Sequence, residues 1–329
     1  AQLFNITDPL QIVMTKNATE GLNIAISGLL KSGDHVITSS MEHNSVMRPL
    51  RVMERRGVEL TVIPCDREGL IDPAHVNGAV KKNTRAIFMT HASNVTGTVM
   101  PVADIGRIAR ERNLVFCVDA AQTAGSYPID VVKMNIDLLA FTGHKSLFGP
   151  SGTGGIYIRE GLENKIEPLC VGGTGSRSEM EEQPDFMPDR YEAGTPNTVG
   201  IAGLQAGVDF VLSKGVSEIK HKEDNLVEIF MDGVRDVPGM VVYGKKDAQK
   251  RTPVVSFNIA GMDPAAVALE LDDRFNIMAR SGIHCAPSAH KTIGTYPQGT
   301  VRFSFSYFNT QEQIAKAIDA IRKISRRKK

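Results

Sequence analysis

The chain contains no tryptophan and only four cysteines, Cys65, Cys117, Cys170 and Cys285, scattered without a CxxC pair. That spacing excludes a zinc ribbon and the dense disulfide framework of a small secreted domain, and it points to a reducing, cytoplasmic setting. Excess charge is missing too. Lys and Arg number 38 against 37 Asp and Glu, and a formal net charge of +1 gives no field that would recruit nucleic acid or an anionic membrane. No run approaches the roughly 18 apolar residues of a membrane span, and no charged, apolar, small-residue leader opens the chain. No GxGxxG follows a strand-like run and no GxxxxGK followed by Ser or Thr occurs, which weakens dinucleotide and P-loop readings.

What is present is ordinary for a globular enzyme: 329 residues, 42% hydrophobic and 23% charged. Apolar β-rich runs alternate with amphipathic stretches at Ile12–Met14, Val36–Thr38, Leu60–Ile63, Ala86–Met89, Leu114–Val118 and Leu138–Phe141. Such alternation predicts an α/β fold, a mainly parallel sheet covered by helices, here in a large domain over residues 1–212. A Gly-, Pro- and acid-rich excursion over 161–198 is expected to serve the site or a partner subunit. Helices are expected over 200–212, 216–234 and 264–274, and strands over 254–259 and 277–279, so a smaller α+β domain fills 213–329. A closing helix puts Ile314, Ala317, Ile318, Ile321 and Ile324 on one face. The basic tail Arg326-Arg327-Lys328-Lys329 complements that helix's dipole.

Parallel sheets bind ligands outside the carboxyl ends of their strands. Asn17-Ala18-Thr19-Glu20-Gly21 follows the first run and opens a helix, a place where free amides and a hydroxyl suit a phosphate, or where Asn17 simply caps. His43 follows the second run and can stack on a flat ring or shuttle protons, although a lone histidine is more often structural. Asn94, in Ser93-Asn94-Val95-Thr96-Gly97, can bond a phenolic oxygen or shape a turn. Asp119 ends a very apolar run, where a carboxylate needs a cation or strong donors. Gln122 stands three residues on, and Lys145 follows the last run with Thr142 and His144 placed to hold a phosphate. Each has a plain structural reading. Together they supply a phosphate cradle, a stacking face, a hydroxyl contact, a counter-ion for a protonated ring nitrogen and an imine-forming lysine, which is the set that pyridoxal 5'-phosphate (PLP) requires.

These residues resemble the class V aminotransferase family of fold-type-I PLP enzymes, in its group II cysteine desulfurase and selenocysteine lyase branch. The resemblance spans nearly the whole chain. It rests on Ala18-Thr19-Glu20-Gly21, Glu42-His43-Asn44, Ser93 to Gly97, Val118-Asp119-Ala120-Ala121-Gln122, Gly143-His144-Lys145, Glu192-Ala193-Gly194-Thr195-Pro196-Asn197 and Arg280-Ser281-Gly282-Ile283-His284-Cys285-Ala286. It implies a Schiff base on Lys145, cofactor contacts from Ala18, Thr19, His43, Asn94, Asp119, Gln122, Thr142 and His144, and a homodimer in which Thr195 reaches the partner subunit's cofactor phosphate. It also implies a substrate α-carboxylate held by Arg302, with Asn94 and Arg280 alongside; a planar guanidinium suits that group.

Cys285 selects the reaction within the family. It lies in a Gly-, His- and Pro-containing loop, where neighbours such as His284 or Arg280 can favour the thiolate. Alternatives are an incidental loop cysteine or a metal site with His284 and His290, for which no second Cys/His cluster exists. The resemblance implies removal of sulfur from L-cysteine or L-selenocysteine, a persulfide on Cys285, L-alanine as product, His43 as a proton donor, and a sulfur-acceptor protein, iron–sulfur cluster assembly being one use. Other class V chemistry, such as transamination, epimerisation or carbon–sulfur lysis, and a non-catalytic scaffold are the rival readings. The segment Ala286 to Gly294 departs from the usual group II continuation. Compared with the family it resembles, whose members carry an N-terminal segment, the chain is expected to lack that segment.

Overall fold

The computed structural model describes residues 1–326; Arg327, Lys328 and Lys329 of the basic tail lie outside the described residues. The chain divides into two compact units. The first is built from Ala1–Ile63, Asp72–His91 and Pro101–Val216, and the second from Pro64–Ile71, Ala92–Met100 and the stretch from Ser217 onward.

The first unit holds a seven-stranded sheet whose elements are β1 (Ile12–Thr15), α1 (Ala18–Leu29), β2 (His35–Ser39), α2 (Asn44–Arg55), β3 (Glu59–Ile63), α3 (Pro73–Gly78), β4 (Thr84–Thr90), α4 (Val102–Glu111), β5 (Val115–Asp119), β6 (Leu138–Thr142), β7 (Gly154–Ile158) and α5 (Thr198–Lys214). Strand order is β1-β7-β6-β5-β4-β2-β3, parallel from β6 to β3. Strand β7 runs antiparallel to both β6 and β1, so β1 points the same way as the parallel set. All five residues of β2, β5, β6 and β7 are buried, which is why β5 and β6 carry continuous apolar runs, Val115–Val118 and Leu138–Phe141, instead of alternating ones. Helix α1 starts where Asn17 accepts from the amide of Glu20 at 3.0 Å, and α3 starts with an Asp72 cap followed by Pro73. Leu22, Ile26 and Leu29 of α1 enter the same core as Val36, Phe88, Cys117 and Ile156 from the sheet.

The second unit contains α6 (Val216–Val234), β8 (Met240–Val242), β9 (Val254–Ile259), α7 (Pro264–Phe275), β10 (Arg280–Gly282), α8 (Pro287–Thr292), β11 (Thr300–Ser304) and α9 (Gln311–Arg326). Its antiparallel sheet has the order β10-β11-β9-β8. Phe230 of α6 meets Phe257, Phe303 and Phe305 with ring centroids 5.4 to 6.3 Å apart. Truncating Phe230 to alanine would cost about 3–5 kcal/mol. Ile314, Ala317, Ile318, Ile321 and Ile324 of α9 are all buried in this core. The strand expected over Ile277–Ala279 is displaced: these residues are not in a strand, and β10 begins at Arg280. Its pairing partner, β11, lies far along the chain, so local apolarity located the wrong triplet. No single helix among the described residues is long and apolar enough to cross a membrane.

Candidate active site

In the first unit, strand register gathers the carboxyl-terminal residues along one rim. Thr90 of β4 stands opposite Asp119 of β5, and Asp119 stands opposite Ala140 of β6. The amide of His91 donates to the carbonyl of Asp119 at 2.9 Å, and the amide of Ala120 donates to the carbonyl of Ala140 at 2.8 Å. Lys145 follows Thr142 by three residues, in a turn closed by the amide of Phe148 donating to the Lys145 carbonyl at 2.9 Å. Lys145 and His144 are solvent-exposed, whereas Thr142 is buried and lies 3.0 Å, Oγ1 to Nδ1, from His144. Partial burial and the neighbouring Lys145 ammonium hold the His144 imidazole below its ordinary range.

Thr142 and the start of α1 are drawn together by Gly154, which pairs with Thr142 on one side and Thr15 on the other. A Cβ at Gly154 would come within 2.6 Å of the Phe141 carbonyl oxygen and 2.8 Å of Asn17 Cα, so only glycine permits this approach. Asn17 takes the amide of Glu20, while the amides of Ala18 and Thr19 lie ahead of the helix's own hydrogen-bond ladder. Thr19 Oγ1 meets Ser45 Oγ at 2.7 Å, and Ser45 Oγ meets His43 Nδ1 at 2.8 Å. His43 is itself the cap of α2, accepting the Ser45 amide at 3.1 Å, which fixes its ring. Gln122 is half-buried in the turn after Asp119.

Asp119 decides whether the rim suits PLP. It is 4% exposed, its Oδ1 accepts the Ala121 amide at 2.9 Å, and among the described residues no lysine or arginine pairs with it. A buried carboxylate without a cation calls for one, and a protonated ring nitrogen is such a group. The residues therefore fit the cofactor: the α1 amides with Thr19, Thr142 and His144 suit an anionic phosphate, and Asp119 suits the opposite end. Thr195 is exposed and lines a cleft of about 330 Å³ with Thr15, Glu20 and Glu192.

Beside Asp119 is a residue that sequence reasoning quoted only as part of a motif. Glu42 is fully buried; its Oε1 accepts from Ser39 Oγ at 2.5 Å and from the Thr90 amide at 3.1 Å, and its Oε2 has no hydrogen-bond partner among the described residues. Burial, opposed by those bonds and reinforced by the Asp119 charge, pushes its carboxyl up to about 8. It is a neutral acid at neutral pH, bridging the β2–α2 loop to β4. His91, buried edge-on to Tyr127 at 5.3 Å, is likewise held neutral, burial lowering it to about 4. Neither burial is visible in a linear pattern.

The second unit carries the other candidates. Arg280 and Arg302 are direct partners across β10 and β11. Arg302 donates from Nη1 to the Asn94 carbonyl at 2.8 Å, and Asn94 donates from Nδ2 to the His284 carbonyl at 2.7 Å. Arg302 Nε and Asn94 Oδ1 are buried and have no hydrogen-bond partner among the described residues, a donor and an acceptor available to a ligand. Burial, then Arg280, lowers Arg302, with the Cys285 sulfur acting in the opposite sense. Cys285 is exposed, and both it (φ 57°) and His284 (φ 45°) are in the left-handed region. Cys117 differs: it is buried, and burial with the Asp119 charge pushes its thiol well above the ordinary range. Among the described residues no group of three His, Cys, Asp or Glu side chains is arranged to hold a metal.

A family model described as Aminotransferase class-V matches residues 1–316. A probable cysteine desulfurase of Methanothermobacter thermautotrophicus is 39% identical over 310 residues, covering 92% of this chain and 76% of that protein. The apo structure of a cysteine desulfurase from Thermococcus onnurineus NA1 superposes with a TM-score of 0.90 at 36% identity, covering 96% of this chain and 79% of that one. A C-DES mutant solved with glycine covalently linked to its PLP cofactor matches with a TM-score of 0.84 at 25% identity, over 98% of this chain and 83% of that one. With the rim, its glycine-spaced cradle and the Asp119 carboxylate in place, the chain belongs to the class V aminotransferase family.

Proposed function

We propose that this chain is a PLP-dependent cysteine desulfurase that removes sulfur from L-cysteine, leaves it as a persulfide on Cys285 and releases L-alanine. The observation that carries this reading is the exposed Cys285 thiol on its left-handed turn, in the unit that also holds Arg280 and Arg302. When bound, PLP supplies an imine linkage and a ring that accepts electrons from the substrate carbon.

The chain's own residues divide the remaining work. Ala18, Thr19, Thr142 and His144 hold the phosphate, Asp119 keeps the ring nitrogen protonated, and His43 offers its capped, fixed ring as a face. Asn94 and Gln122 address the phenolic oxygen. Arg302, with its free Nε, takes the substrate carboxylate, and Asn94 and Arg280 adjoin it. Lys145 Nζ takes the Cα proton as a general base. The Cys285 thiolate attacks the substrate sulfur: a sulfur–sulfur bond forms, the substrate Cβ–S bond breaks, and its electron pair stays with carbon, which gains a proton to become alanine. His43 is the proposed donor.

A homodimer fits the apolar groups left exposed on and beside the 161–198 excursion, Leu169, Val171, Met180 and Val199, with Thr195 assigned to the partner's cofactor phosphate. The persulfide requires an acceptor, a protein thiol or a small reductant, and a reducing, cytoplasmic setting suits a catalytic thiol. The test is alanine formation from L-cysteine, with sulfide release in the presence of reductant. Alanine without any dependence on Cys285 would leave a PLP enzyme of another reaction, and no alanine at all would leave a binding protein.

A further inference from the structure

The turn that presents Cys285 is strained. Two successive residues that are not glycine, His284 and Cys285, have φ of 45° and 57°, and each such residue costs roughly 1–2 kcal/mol. Such a turn persists only where the surroundings over-determine it. His284 Nε2 lies 3.2 Å from both the carbonyl oxygen and Oγ1 of Thr300, and the His284 carbonyl accepts from Asn94. Its ring also meets that of His290, whose ring centroid lies 5.6 Å away at 45°.

His290 is fully buried in α8, the short helix that begins two residues after Cys285. Its amide donates to the Ala286 carbonyl at 3.2 Å, and its Nδ1 lies 2.7 Å from Thr295 Oγ1. Its carbonyl accepts the amides of Thr295 at 2.8 Å and Tyr296 at 3.2 Å. The residue thus ties the segment leaving Cys285 to the segment that returns to β11, while its ring backs His284.

We propose that His290 is a positioning residue for Cys285: its buried ring acts as a wedge behind His284, so that the left-handed turn holds the thiol outward. The proposal deepens the reading of Cys285 as the sulfur-accepting nucleophile and rests on it for its effect on turnover. The positioning itself is measurable without that reaction.

Three chains are compared: wild type, His290→Ala, and His290→Phe combined with Thr295→Val, which keeps a ring while removing both polar partners together, a change that leaves no unmatched buried group. The first readout is the NMR signal of the Cys285 amide and Cβ and the rate of Cys285 alkylation. The second is persulfide formation with L-cysteine, as separate kcat and KM, in chains that keep the wild-type cofactor absorbance. The alanine variant is expected to shift the Cys285 signals, change its alkylation rate and lower kcat about tenfold, roughly 1.4 kcal/mol, with KM within about twofold. The double variant is expected to recover most of both readouts. Unchanged Cys285 signals and alkylation in His290→Ala, or a double variant no better than the alanine variant, would overturn the proposal. A wild type that forms no persulfide while its alkylation still responds to His290 would instead count against the desulfurase reading alone.

Discussion

The strand-end rim of the first unit and the Cys285 turn of the second solve opposite problems. At the rim, Asp119, Thr142 and the start of α1 inherit their positions from regular β pairing and a helix terminus, and Gly154 supplies the one close approach that pairing alone does not. At the turn, Cys285 gains exposure from two left-handed residues that lie outside any helix or strand, and His290, Thr295 and Thr300 hold them in place. A group that carries a cofactor benefits from a fixed scaffold. A group that receives sulfur and must pass it on has to remain accessible.

That contrast can be broken at several points. Lys145→Ala should abolish alanine formation from L-cysteine by about 10³-fold or more, since it removes both the imine nitrogen and a general base; amino-acid analysis of the reaction checks it, and a variant retaining wild-type turnover would remove the rim from the account. Cys285→Ala should lower sulfide release by about 10²- to 10³-fold while leaving the cofactor absorbance intact, separating the two regions cleanly. Asp119→Asn should cost about 2–3 kcal/mol of catalysis, roughly 10²-fold, because an uncharged amide no longer holds the ring nitrogen protonated. Its cofactor absorbance should shift as well.

The smallest effect concerns stability. The carboxyl of Glu42 is raised to about 8 in the folded chain, so between the ordinary glutamate range and pH 8 the unfolded chain has released a proton that the native chain still holds. Stability therefore falls as pH rises through that window, and Glu223, also raised to about 8 chiefly by burial, adds to the slope. His91 and His290, lowered to about 4 chiefly by burial, act at the acid end: the unfolded chain binds protons first, so stability falls as pH drops from about 6.5 towards 4. Urea midpoints of Glu42→Gln at about pH 5 and about pH 8 should differ less than those of the wild type, because a neutral amide does not titrate. An undiminished difference would mean that Glu42 is ionised in the fold.

How much could be read in advance follows the same division. Strands β2, β5 and β6 are buried along their whole length; β5 and β6 are apolar up to their last residue and β2 is β-rich around Val36 and Ile37, so the residues at and after their ends could be singled out. Strands β7 and β11 were not visible: Gly154-Gly155-Ile156-Tyr157-Ile158 opens on glycines, and Thr300 to Ser304 mixes polar residues with apolar ones. Strand β10 was placed three residues early because Ile277, Met278 and Ala279 are the more apolar triplet. The second unit recruits residues 64–71 and 92–100, a long-range closure that no local pattern encodes. The motif containing Cys285 stood out, but its strain and its support from His290 are properties of φ angles and contacts distant in sequence. Glu42 was legible as a letter in a motif and illegible as a buried neutral acid.

One measurement meets the central claim directly: mass analysis of the Cys285 peptide after the PLP-loaded chain is mixed with L-cysteine without reductant. The account predicts that this peptide gains one sulfur atom while alanine appears in equal amount, and that the Cys65, Cys117 and Cys170 peptides gain none. Alanine formed with no added sulfur on Cys285, or sulfur carried on another cysteine instead, would contradict it.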